Sequence, residues 1–150
     1  MGCDIHTYKE KRQNGAWVSC DTWEISKEYE DDPARYERAW PYPTYHSRNY
    51  VQFGLMAGVR WSSPHTVQPK GAPDDASMEV QREIEQWDCD GHSHSWLTLR
   101  EMKELAAKVL VSRTDENHSH ALEGLNNLIQ SVDEEGVSPD DIRVVFFFDN

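Results

Sequence analysis

The amino-acid sequence predicts an α+β fold: a small mixed or antiparallel sheet, made of an N-terminal hairpin and a C-terminal strand, with three to four helices and long loops. Three observations predict it. Residues 3–10 alternate in character and lead into Asn14-Gly15, a strong hairpin signal. Val144 to Phe148 is an unbroken apolar run, which marks a strand covered on both faces. Between these ends, two stretches carry apolar residues at helical spacing. A chain of 150 residues suits one domain, 1–150.

Along the first strand, Ile5 and Thr7 share one face, and Asp4, His6 and Tyr8 share the other. Residues 16–20 read as the returning strand. Residues 26–47 are charged and aromatic and contain Pro33, Pro41 and Pro43, which reads as a long ordered loop with at most a short helix around 33–39. Residues 48–58 read as a helix, with Tyr50, Val51, Leu55 and Met56 on its apolar face and Gly58 near its end. Residues 61–76 hold Pro64, Pro69, Gly71 and Pro73 and form a second long loop, a feature that is usually functional or disordered. Ser77 is placed to cap a short helix over 78–87.

Thr98 and Glu101 form a capping box, and Leu97 with Met102 fits a hydrophobic staple. Leu99, Met102, Leu105, Ala106, Val109 and Leu110 follow at helical spacing. A fourth helix spans about 120–133, with Leu122, Leu125, Leu128, Ile129 and Val132 on one face. Ser138-Pro139-Asp140-Asp141 reads as a turn. The C-terminal strand belongs beside the first one, because it is the most apolar segment and needs cover on both sides.

Fifteen cationic residues against 27 carboxylates leave a net charge of −12. That balance argues against direct nucleic-acid binding, which needs clustered cations, and against docking on an anionic membrane. No apolar run approaches the roughly 18 residues of a membrane span, and polar residues from Asp4 onward give no signal-peptide pattern. His6 stands where the myristoylation pattern needs Ser or Thr. Three cysteines, an odd number without a C-x-x-C pair, fit reduced thiols in a cytoplasmic setting.

The histidines cluster. Four of the seven form the pairs His92-Ser93-His94 and His118-Ser119-His120, and His6 follows Asp4 at i+2. In extended chain, i and i+2 point the same way, so Asp4 with His6, and Asp90 with His92 and His94, can each present a carboxylate and imidazole set to one ion. This makes Asp4, His6, Asp90, His92 and His94 candidate ligands of a divalent metal, zinc or manganese, with Asp4, His6 and Asp90 at the chemistry. The plainer reading is that the His-Ser runs are surface loops. That reading is favoured for His118 and His120, which follow Asp115-Glu116-Asn117 at a helix start. Arg48, Arg60 and Tyr50 are candidates for holding an anionic substrate by charge and stacking. The competing reading makes the arginines rim ion pairs and the aromatics a satellite core.

The opening Met1-Gly2-Cys3-Asp4-Ile5-His6 resembles a group of small, mostly phage- and prophage-encoded proteins, as do 49–60, Gly71-Ala72-Pro73-Asp74-Asp75, 90–98 and Phe146-Phe147-Phe148-Asp149-Asn150. The resemblance implies a phage or prophage setting and carries over no functional residue. Two functions follow as expectations. One is a small metal-dependent hydrolase acting on a phosphate ester or nucleotide. The other is a binding protein without catalysis, which sequesters a small anionic ligand such as a nucleotide signal or blocks a host protein partner with its acidic surface.

Overall fold

The computed structural model describes residues 2–25, 36–112 and 115–150. The N-terminal hairpin forms as expected: β1 (Asp4–Gln13) turns at Asn14-Gly15 and returns as β2 (Ala16–Ser19). Next come β3 (Thr22–Ile25) and β4 (Tyr36–Ala39), which pair with each other as a separate two-stranded sheet. The short helix expected around 33–39 is thereby corrected for 36–39, while 33–35 lie outside the described residues. Pairing between strands distant in sequence overrides what the local pattern shows.

Helix α1 (Tyr50–Ala57) opens on Asn49, whose side chain accepts from the Gln52 N–H at 3.0 Å, and stops at Gly58 in the left-handed region, with φ of 71°. Helix α2 (Met78–Trp87) is capped by Ser77. After the turn Asp88–Asp90 comes β5 (Gly91–Thr98), so the extended reading of the segment holds from Gly91 onward and the plainer loop reading is corrected. The capping box forms at the start of α3 (Leu99–Ser112), where the Thr98 and Glu101 N–H groups each donate to the other residue's side chain at 3.1 Å. Helix α4 (Glu116–Val132) begins earlier than residue 120, because Asp115 accepts from the His118 N–H at 2.9 Å and caps it there. The chain closes in β6 (Ile142–Asp149). No helix among the described residues is long and apolar enough to cross a membrane.

The main sheet is antiparallel in the order β2-β1-β6-β5, so β6 lies between the first strand and β5. Residues Ile142 to Phe148 are all buried. One face, with Ile142, Val144, Phe146 and Phe148, packs on Ile5, Leu97 and the apolar sides of α1, α3 and α4. The other face, with Val145 and Phe147, meets Tyr8, Ala76 and Val80, rimmed by Trp23, Ile84, Trp87 and Trp96. Burying each such phenylalanine or valine contributes about 1.5–3 kcal/mol.

A buried ion pair ties the two central strands together. Glu10 and Arg143 stand opposite in the β1–β6 register, and Arg143 Nε donates to Glu10 Oε1 at 2.8 Å. Their side chains are only 1% and 0% exposed. The Arg143 guanidinium lies 4.2 Å from the Trp17 ring and reaches Asp75 at 3.0 Å, while Glu10 Oε2 accepts from the Ser77 N–H at 2.6 Å. The pair thus fixes the entry to α2 as well as the sheet register.

One part of the sheet is left unfinished. β2 reaches only Glu10 to Gln13, so the outer edge of β1 from Asp4 to Lys9 has no strand against it among the described residues. Edge carbonyls still require donors. The Arg38 guanidinium and the Thr44 hydroxyl donate to Thr7 O, and Cys20 N–H donates to Lys9 O at 2.9 Å. The segment after β4 is thereby laid along this edge.

Removing one member of the buried pair strands the other. Arg143→Ala should lower unfolding stability by about 3–5 kcal/mol in urea denaturation, whereas a loss under about 1 kcal/mol would show that the pair is not a structural tie.

Candidate functional site

The cleft at the unfinished edge of β1 holds about 340 Å³ and is lined by Asp4, His6, Arg38, Tyr42, His46 and Arg48. His6 sits opposite Phe147 in the register, which places Asp149 two residues along on the same face of β6. His6 Nε2 lies 2.6 Å from Asp149 Oδ2, and both side chains are 19% exposed. The imidazole packs against two rings, stacked on Phe147 at 4.9 Å and tilted against Trp87 at 4.3 Å. With Nε2 engaged by a carboxylate, Nδ1 is the nitrogen that remains for a ligand.

The opposite wall comes from residues 38–48. The Arg38 guanidinium is stacked between the rings of Tyr8 and Tyr42, at 4.1 and 3.8 Å. Tyr42 contacts the His46 ring at 5.7 Å, and His46 Nδ1 lies 3.3 Å from Thr44 O. A carbonyl can only accept, so this nitrogen carries the proton and Nε2 is left for other partners. Arg48 closes the cleft mouth with a two-pronged pair to Asp4, Nε to Oδ1 and Nη2 to Oδ2, each at 2.9 Å. More than half of each side chain is exposed.

Beneath the cleft, Arg38 also meets Asp21 Oδ1 at 3.4 Å. Burial pushes the Asp21 carboxyl up to about 6, with Arg38 opposing the shift and Glu83 adding to it. Tyr8 donates to Glu83 at 2.7 Å, and burial together with that carboxylate raises its hydroxyl pKa strongly.

The residues singled out in the sequence are only partly brought together. Asp4 and His6 share the cleft. His94 joins His6 on the Phe147 ring, at 5.2 Å. It reaches there through an irregularity between His92 and Ser95, with Ser93 at a φ of 54°. Gly91 permits the fold-back, since a Cβ on it would lie 3.3 Å from His94 Nε2. Burial first, and the charge of His92 second, lower the His94 pKa. His92 turns elsewhere: it contacts Phe148, on the other face of the sheet, and its ring nitrogens reach Ser93 and Asn150. Asp90 is exposed in the turn before β5. Among the described residues, no three His, Cys, Asp or Glu side chains gather into a group that could hold a metal ion.

Of the candidate anion binders, Arg48 lines the cleft. Tyr50 packs against the core and accepts from the Cys3 N–H at 3.2 Å, and Arg60 lies 5.6 Å from the Tyr50 ring. His118 and His120 lie at the helix start behind the Asp115 cap. Four cleft or supporting residues escaped the sequence reading: Arg38, Tyr42, His46 and Asp149. For Asp149 a signal existed, since it lies at i+2 from Phe147, one residue past the predicted strand. The other three sit in a segment with no periodicity to place them. Comparison with protein-family models, curated proteins and solved structures finds no match to the chain.

Because the folded Asp21 carboxyl is pushed above its unfolded value, its contribution favours folding below about pH 4 and is lost as pH rises through about 6. Asp21→Asn lacks this titration. Its stability relative to the natural protein should therefore rise by about 2–3 kcal/mol between pH 4 and pH 7. Urea denaturation at several pH values measures the difference, and a constant difference would contradict the burial of a titrating Asp21.

Proposed function

We propose that the cleft beside β1 binds a small phosphate-bearing anion of the nucleotide class. The observation that carries this reading is the joint lining of one small cleft by His6, His46, Arg38 and Arg48. Arg38 is fixed by its stacking partners and supplies a stationary positive charge. Among the described residues Arg48 is paired with the exposed Asp4, and an ion pair in water is weak enough to be exchanged for a phosphate oxygen. A guanidinium matches a phosphate in two-pronged geometry as well as it matches a carboxylate. The size suits a small molecule, and the −12 net charge of the whole chain disfavours a polyanion.

A second reading, hydrolysis dependent on zinc or manganese, draws on one observation. His94 Nε2 is buried without a hydrogen-bond partner while its ring shares Phe147 with His6. The mark of that reading is turnover that a chelator abolishes.

Calorimetric titration with inorganic phosphate and with a nucleoside monophosphate tests the binding reading. The natural protein should bind both, and Arg48→Ala should weaken binding by about tenfold or more, equivalent to about 1.4 kcal/mol. Asp4→Asn should tighten binding, because it frees Arg48 and removes a negative charge from the cleft. Unchanged affinity in Arg48→Ala, or weaker binding in Asp4→Asn, would contradict the proposal.

A further inference from the structure

We propose that His6 and His46 act as an acid–base pair that hydrolyses a phosphodiester bound in this cleft, an inference that rests on the anion-binding reading above. The two imidazoles line the same cleft, and each has one nitrogen committed to an oxygen acceptor: His6 Nε2 to Asp149 and His46 Nδ1 to Thr44 O. His6 Nδ1 and His46 Nε2 are thereby left to serve a bound molecule. Asp149 does for His6 what a carboxylate behind a catalytic imidazole does generally. It fixes the tautomer and ring orientation and stabilises the imidazolium that forms when the ring takes a proton. Phe147, stacked on the ring, and Trp87, tilted against it, restrain the same imidazole. A histidine that served only as a surface residue has no need of such support.

The step balances with water as the only co-reactant. His6 Nδ1 takes a proton from water as the water oxygen bonds to phosphorus. The bond from phosphorus to the leaving oxygen breaks, and that oxygen takes a proton from Nε2 of protonated His46. The products are a phosphomonoester and an alcohol; His6 then loses its proton to solvent and His46 regains one. Arg48, exchanged from Asp4, neutralises the non-bridging oxygens. A diester fits better than a monoester because it carries one negative charge, matched to one exchangeable guanidinium. It also has a leaving alkoxide that needs the proton His46 supplies. The charged groups facing this pair are Asp4, Arg38, Arg48 and Asp149, with His94 on the far side of the Phe147 ring.

The experiment follows cleavage of two diesters in EDTA across pH 4–9: the p-nitrophenyl ester of thymidine 5′-phosphate, which has a good leaving group, and thymidylyl-thymidine, which has a poor one. Inorganic phosphate binding is measured on the same samples. The expected result is metal-free turnover with a bell-shaped pH profile. His6→Ala should lower kcat by about 100-fold or more on both substrates. His46→Ala should lower it mainly on thymidylyl-thymidine, whose leaving oxygen requires protonation. Asp149→Asn, altering a positioning residue, should lower kcat on both substrates while leaving KM and phosphate affinity little changed, since the His6 ring loses the partner that fixes its tautomer and orientation. Retained phosphate binding shows that a variant is folded. Phosphate binding without turnover overturns the acid–base pair and leaves the anion cleft standing, whereas loss of both overturns the two readings together. Turnover that EDTA abolishes, or that His46→Ala leaves equal on both substrates, overturns the pair in favour of other chemistry.

Discussion

The structure depends on burying one strand on both of its faces. Ile142 to Phe148 presents apolar side chains in both directions, apart from Arg143. A strand of that kind is stable only between two layers. The three helices α1, α3 and α4 supply one layer. The other is assembled from α2, Tyr8, and the tryptophans Trp23, Trp87 and Trp96, with the Glu10–Arg143 pair at one end. That second layer fixes Trp87 and Phe147 about the His6 ring. The site is therefore a by-product of covering β6 rather than an independent module.

A second consequence follows from the shortness of β2. The sheet stops half-way along β1, and the carbonyl of Thr7, which has no strand partner among the described residues, recruits Arg38 and Thr44 as donors. Those bonds bring the Tyr42–Arg48 segment alongside Asp4 and His6. Polar edge groups that elsewhere form a ladder here hold a wall of histidine, tyrosine and arginine, and the space between wall and strand is the cleft.

How much of the molecule is legible in its sequence follows from how local each signal is. The hairpin, the capping boxes and stripes of the helices, and the doubly buried last strand all write themselves into short windows, so their positions are readable from the order of residues alone. The Thr98–Glu101 box is the clearest case. β5 is legible as extended chain, but its place in the sheet is hidden because 91–94 is polar and its pairing with β6 rests on backbone bonds and on Trp96 and Leu97. β3 and β4 are hidden because each is short and is defined by the other. In the site, Asp4 and His6 are visible as an i, i+2 pair, and Arg48 as one of few cations. The partner of His6 is not, because joining His6 to Asp149 requires the β1–β6 register. His46 and Arg38 are invisible because they reach the cleft through a segment with no periodicity, held to the free edge of β1 by side-chain bonds to Thr7 O. The grouping of Asp90 and His92 with His94 assumes an unbroken strand, and the turn at Asp88–Asp90 and the irregularity at Ser93 separate them.

The central claim is that the fold commits one side of His6 to Asp149 and offers its other side to an anion. Long-range proton–nitrogen NMR of the imidazole side chains, recorded while inorganic phosphate is added, tests it most directly. The account predicts that His6 carries its proton on Nε2, with that proton far downfield from its short bond to Asp149, and that phosphate shifts the resonances of His6 and His46 while leaving His118 and His120 in place. A His6 protonated only on Nδ1, or phosphate shifts confined to histidines outside the cleft, would contradict it.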